Sequence, residues 1–177
     1  ETFTIPETVT EIGNQAFMNC KGITAITIPS SVTKIGASAF ANCSGITEIT
    51  VPEGVTTLGN QAFFNTALKT VSLPSTITSI GSKAFNQNPN ITKFTIAEGT
   101  PYSVSDDASI LVKTSGTTVE AVGFFGNKTE IVFPANVNKI GASFADGSPD
   151  LVKVTIPAVT NFGASTFANC PKLTTAV

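Results

Sequence analysis

A repeat solenoid built mainly from short parallel β-strands is the fold class this sequence predicts, and three observations predict it. Nearly the whole chain can be written as altered copies of one stretch, ITAITIPSSVTKIGASAFANCSG, from Ile23 to Gly45. Each copy opens on alternating apolar and hydroxyl residues that stop at a proline. Each then carries a glycine and, four positions on, a phenylalanine. A unit this short cannot bury its apolar face alone, so neighbouring copies must stack on one another.

With position 1 at Ile23, further copies begin at Ile46, Leu68, Ile91, Lys128, Leu151 and Leu173, and a partial copy fills Glu1 to Gly22. The spacing is 22 or 23 residues except for one copy of 37. The expected organisation is one domain over residues 1–177, with about seven repeats and an insertion at 98–127.

Each element follows from its columns. Position 4 (Phe3, Ile26, Ile49, Val71, Phe94, Ile131, Val154) and position 6 (Ile5, Ile28, Val51, Leu73, Ile96, Phe133, Ile156) are apolar. Position 5 between them is Thr or Ser in every copy but one, where it is Val132. That alternation is a half-buried strand. Proline at position 7, replaced only by Ala97, has no N–H to extend a ladder and ends the strand. Position 10 (Val9, Val32, Val55, Ile77, Val137, Val159) and position 13 (Ile12, Ile35, Leu58, Ile80, Ile140, Phe162) turn back to the core, the copy from Leu151 being aligned across a one-residue gap after Pro157. Gly13, Gly36, Gly59, Gly81, Gly141 and Gly163 at position 14 supply a corner, expected at positive φ. Phe17, Phe40, Phe63, Phe85, Phe144 and Phe167 at position 18 should stack as an aromatic ladder.

The long copy carries AEGTPYSVSDDASILVKTSGTTVEAVGFFGN, from Ala97 to Asn127. Ser109–Lys113 and Thr118–Val122 read as the strands of a β-hairpin, with a short Thr-Ser-Gly-Thr loop. Lys128 resumes the register, so the hairpin is expected to project from the stack. Asp106 and Asp107 invite a calcium reading, but no third oxygen-rich position completes a D-x-D spacing, and adjacent carboxylates before a strand are turn formers.

Composition excludes several classes of function. Charged residues are 12% of the chain, net charge is −2, and no Lys or Arg runs occur, against ~25% charged in typical domains. Nucleic acid has no electrostatic footprint here. No apolar run reaches the ~18 residues of a membrane span, so membrane insertion is not expected of this stretch. The chain starts at Glu1 with no signal-type segment and stops midway through a strand, as a trimmed piece of a longer protein would. Cys20, Cys43 and Cys170 all fall at position 21. They read as small buried thiols, because stacked Cβ vectors suit a disulfide poorly and the paired C-x-x-C spacing of zinc sites is absent. The chain has no His, so Ser-His-Asp and Cys-His catalysis cannot be assembled, and no phosphate-binding glycine motif stands in its required context. Glu48 and Glu130 come from non-adjacent copies and face Lys93 and Lys153 as prospective salt-bridge partners. No catalytic residue, metal or cofactor is expected.

The column pattern L-x-x-I-x-I-P-x-x-V-x-x-I-G-x-x-A-F-x-x-C resembles the BspA-like leucine-rich repeats, and Ile23 to Cys43 fits it throughout. The resemblance runs from end to end, and Val104 to Val122 is similar to that family's aspartate-containing hairpin. Lys128 at position 1, Thr166 before Phe167 and the irregular stretch Ser143 to Asp150 depart from it. The resemblance implies a right-handed arc with turns and short helical segments. It further implies an extracellular or cell-surface, non-catalytic module credited with adhesion to host matrix proteins or other cells. No family motif fixes the binding residues.

The outward columns of the concave sheet are the expected contact surface: Thr27, Glu48, Thr50, Thr70, Ser72, Lys93, Thr95, Glu130, Lys153 and Thr155. A glycan-binding or purely spacing module is the alternative. Trp is absent and Tyr102 is the sole Tyr, which disfavours a sugar-stacking concave face, although Tyr102, Phe124 and Phe125 could form a small platform on the hairpin. Asn42, Asn90 and Asn127 head N-x-S/T sequons, relevant only in a secreting eukaryote.

Overall fold

The computed structural model describes residues 1–158 and 161–177. The partial first copy supplies β1 (Thr2–Thr4) and β2 (Glu11–Ile12), and the next copies supply β3 (Ala25–Thr27), β4 (Lys34–Ile35), β5 (Glu48–Thr50), β6 (Thr57–Leu58), β7 (Thr70–Leu73) and β8 (Ser79–Ile80). The long copy gives β9 (Lys93–Ile96), β10 (Tyr102–Val104), β11 (Ile110–Ser115) and β12 (Thr118–Phe124). The remaining strands are β13 (Glu130–Val132), β14 (Lys139–Ile140), β15 (Lys153–Thr155), β16 (Asn161–Phe162) and β17 (Thr175–Ala176).

The copies stack as parallel rungs with the column register intact. One ladder comes from positions 3 to 6: β1 pairs β3, β5 pairs β7 and β7 pairs β9, and after the insertion β13 pairs β15 and β15 pairs β17. A second ladder, from positions 12 and 13, runs β2-β4-β6-β8. The resemblance implies short helical segments, but no helix is present among the described residues, and the third side is made of turns. The reason is local. Positions 16 and 20 sit at positive φ in copy after copy, as at Ser38 (φ 54°) and Asn42 (φ 62°), and a left-handed residue every fourth position breaks any α-helical run.

This broken backbone stacks instead. The amides of Gln15, Phe17 and Asn19 donate to the carbonyls of Ala37, Ala39 and Ala41 at 2.8–2.9 Å, while Ala16, Met18 and Cys20 close turns onto Gly13, Gln15 and Phe17. Alternate amides thus bond between rungs and within them, which leaves few orphan donors.

The position-14 glycines serve a different purpose from the expected one, because none has a positive φ. They are required by close approach. A Cβ on Gly36 would stand 2.6 Å from the Asn14 nitrogen and the Gly13 carbonyl carbon of the rung before. Gly13, which begins the stack, has nothing within 4 Å.

Inside, Phe17, Phe40, Phe63 and Phe85 stack with centroids 5.2–5.5 Å apart and planes within 7°. The ladder then breaks. Phe85 meets Phe94 edge-on at 5.0 Å, and beyond the insertion Phe144 and Phe167 are also edge-on, at 6.2 Å. The Phe162 ring, assigned to the core from its column, is 52% exposed on the last rungs, where no further rung covers it. Val159 lies outside the described residues.

The insertion explains the break. Its strands run longer than the sequence suggests, and β10, β11 and β12 form an antiparallel meander that joins the second ladder through β12, with Glu120 opposite Lys139 and Ala121 opposite Ile140. The hairpin therefore does not project as a free outgrowth. Leu111, Tyr102 and Phe125 belong to the core of the preceding rungs, whereas Ile110, Val112 and Phe124 belong to the core of the following ones. Alternation along β11 makes it a wall with an apolar face on each side.

The long copy contributes no turn segment to the third side, so side chains cross the gap. The Asn86 amide donates to the carbonyls of Ser143 (3.3 Å) and Phe144 (3.1 Å), the Gln87 amide donates to the Gly147 carbonyl, and Lys83 pairs with Asp146. On the first ladder the interruption stays open: no Cα of β9 lies within 8 Å of a Cα of β13.

Candidate interaction surface

The ladder face is positioned by strand alternation, which turns positions 4 and 6 inward and leaves 3 and 5 outward. Its candidate residues fall into two groups. On β5, β7 and β9, Glu48, Thr70 and Lys93 form one row across the strands, and Thr50, Ser72 and Thr95 form the next. On β13 and β15, Glu130 stands opposite Lys153, and Val132 opposite Thr155. Thr27 is further off, opposite Thr4 on the first pair of strands. The insertion separates the two groups, so the sheet does not present one continuous array.

Their electrostatics also differ. Lys153 Nζ is 3.5 Å from Glu130 Oε2, an exposed pair worth ~0–1 kcal/mol. Among the described residues no ion pair engages Glu48 or Lys93, since Thr70 stands between them. The Thr95 hydroxyl donates to the Val71 carbonyl at 3.3 Å, so this part of the hydroxyl column serves the stack itself.

The aromatic platform is ruled out by burial. Tyr102 is 6%, Phe124 4% and Phe125 2% exposed. Tyr102 accepts a hydrogen bond from the Ile80 N–H at 2.9 Å, and Lys113 covers its ring with Nζ 5.6 Å from the centroid. Neither it nor the two phenylalanines, which face opposite cores, can stack on a sugar from outside.

Asp107 is held within its own turn. Its carboxylate accepts hydrogen bonds from the Ser105 and Ser109 hydroxyls at 2.7 Å and lies 3.6 Å from Lys128 Nζ. Partial burial pushes its pKa up, but those hydrogen bonds outweigh it and leave the group below the ordinary carboxylate value. Among the described residues no group of three or more His, Cys, Asp or Glu side chains is placed to hold a metal ion.

The three cysteines are free. Cys43 is buried and its thiol donates to the Phe17 carbonyl at 3.0 Å; burial raises its pKa. Cys20 and Cys170 are only half-buried, because they lie on outer rungs.

A second outward surface was missed from the sequence. Thr33, Thr56 and Thr78 at position 11 each donate a hydroxyl hydrogen bond to the carbonyl of the Thr one rung earlier, at 3.1–3.3 Å. Beside them Lys34 pairs with Glu11 at 2.8 Å and Lys139 with Glu120 at 3.1 Å. The position-11 threonines are legible in the sequence as a column, but nothing there marks them as a surface, because no apolar alternation flanks them as it does in the strand before the proline.

Comparison with known proteins agrees with this geometry. The BspA type leucine rich repeat region matches residues 1–108 and 108–174, in six copies. No curated protein sequence matches the chain. Among solved structures, a leucine rich cell surface protein from Faecalibacterium prausnitzii is 25% identical with a TM-score of 0.62, over 99% of this chain and 60% of that one. A leucine-rich repeat protein from Eubacterium ventriosum (22% identity, TM-score 0.72) and the pneumococcal vaccine antigen PcpA (18%, 0.64) share the fold over 99% of this chain and 55% and 50% of theirs. The chain thus spans 60% or less of the length of these three structural neighbours. With its rung register, phenylalanine column and family pattern in agreement, the chain belongs to the BspA type leucine rich repeat family.

Proposed function

We propose that this chain is a non-enzymatic, extracellular or cell-surface module that binds another macromolecule, with adhesion to host matrix or to other cells as its role. One observation carries the reading. The inward columns are committed to stacking, whereas Glu48 and Lys93 stand exposed on the ladder face with no ion-pair partner among the described residues. Around them is a field of hydroxyls from Thr50 and Ser72. A polar surface hydrogen-bonds a partner at many points with little energy at each, which suits weak multivalent attachment rather than tight capture of a small molecule. Family membership and the printed name of the Faecalibacterium neighbour support the surface location.

The test is charge reversal at Glu48→Lys and Lys93→Glu, each alone. Both sites are exposed, so the stability change should stay within about 0.5 kcal/mol. Attachment of protein-coated beads to matrix-coated surfaces should fall and lose its dependence on salt. Unchanged attachment in both variants removes this face as the contact surface.

A further inference from the structure

We infer that the interruption of the first ladder is a receptor slot for an extended peptide, taken up as an added strand against β13 and recognised by alternating apolar and basic side chains. This deepens the adhesion reading by naming the partner's chemistry, and it rests on that reading only for its biological setting.

The slot is defined by missing neighbours. Every other rung of the first ladder has Cα atoms within 8 Å of the next, although β3 and β5 are not hydrogen-bonded to each other, but neither β9 nor β10 has a Cα within 8 Å of a Cα of β13. Paired strands stand about 4.8 Å apart, so a single added strand needs roughly twice that spacing between its flanking strands. Among the described residues the backbone edge is free. Thr129 directs its carbonyl toward the Val152 and Lys153 amides on the β15 side, and in a parallel strand the peptide groups alternate in direction. The peptide groups of Glu130 and Val132 therefore point into the slot, and no hydrogen bond joins them to β9 or β10.

A cleft of about 420 Å³ lies between β10–β11 and the end of β13, with Val104, Val112, Val132 and Phe133 supplying apolar surface and Asp106 supplying charge, Asp107 being held by its own turn and Lys128. No Lys or Arg lines it. That volume is within the ~300–1,000 Å³ range of ligand clefts. Val132 carries the specific clue. It is the one residue of the position-5 column without a hydroxyl, and it is 69% exposed at the slot's rim. An extended peptide fits these features through its own alternation. Its apolar side chains would face Phe133 and Val112, and its basic ones would face the rim at Asp106, with main-chain bonds to β13 giving direction.

The probe is a fluorescein-labelled Lys-Val-Lys-Val-Lys-Val peptide, read by anisotropy against the folded chain. Saturable binding is expected, weakened about tenfold or more by N-methylation of alternate peptide amides and by rearrangement to Lys-Lys-Lys-Val-Val-Val. Val132→Lys and Asp106→Lys should each weaken it similarly, while Glu7→Lys, which changes net charge as much as Asp106→Lys and more than Val132→Lys, should not. Absent saturation, or equal binding of the N-methylated or rearranged peptide, overturns the slot. So does Val132→Lys binding as well as the parent, with circular dichroism showing both folded. Failure here with matrix attachment still sensitive to Glu48 and Lys93 leaves the adhesion reading standing without the slot; binding here with insensitive attachment keeps the slot and overturns that reading.

Discussion

Glycine at position 14 is where a single residue decides whether rungs can stack. Sequence alone explained it by backbone freedom, because the column shows only that glycine is demanded. Close approach across rungs, invisible until copies are superposed in space, is the actual demand. The two causes make different predictions. Gly36→Ala pushes a Cβ to 2.6 Å from the Asn14 nitrogen, so it should destabilise by about 1–3 kcal/mol through overpacking. Gly13→Ala meets nothing within 4 Å and should change stability by less than about 0.5 kcal/mol. Urea midpoints of the two variants check this, and equal losses would return the explanation to φ. The thiols separate by the same logic of rung position: a titration without denaturant should leave Cys43 protected while Cys20 and Cys170 react in part.

Among the elements, the strands before each proline were legible in full, because period-2 alternation and a missing N–H are written in the sequence itself. The third side was not. Asn19, Asn42 and Asn65 at position 20 are the one hint, since Asn tolerates the left-handed region, but Gln, Ser and Lys at position 16 carry no helix-breaking signature, and all adopt φ of 53–65° because the rung must keep its amides aimed at the next rung. The hairpin was legible as strands but misplaced. Alternation along Ile110, Leu111 and Val112 fails by simple inspection, since all three are apolar, and an unbroken apolar run marks a strand covered on both faces. Tyr102→Phe should cost about 1–3 kcal/mol by leaving the Ile80 N–H unpaired. Replacing residues 98–127 by the loop of an ordinary copy removes Tyr102, Leu111 and Phe125 from one core and Ile110, Val112 and Phe124 from the other. That variant is expected to lose its cooperative thermal transition; a sharp transition at the parent temperature would show that the hairpin is dispensable after all.

At the scale of the whole molecule, two cores meet at one wall, and the bonds that cross the gap on the third side are few. The charged one is Lys83 to Asp146. The Lys83 ammonium, by donating to the Asp146 carboxylate, holds that group below its ordinary pKa. An unfolded Asp titrates near ~3.9. A depressed folded pKa means that the pair's contribution is complete above that value and is lost as pH falls through the folded one. Neutral solution therefore keeps the two stacks latched, and acid below about pH 4 loosens them. The rungs after the wall enclose the smaller core, so they should open first, as expected of a quasi-one-dimensional array whose stability is a sum of local terms. Hydrogen exchange at neutral pH should give the Ile131, Ile140 and Val154 amides a lower opening free energy than those of Leu58 and Val71. Asp146→Asn should widen that difference at neutral pH and remove its acid dependence. A single opening free energy shared by both sets, in parent and variant alike, would mean that the wall couples the cores so tightly that the latch is irrelevant.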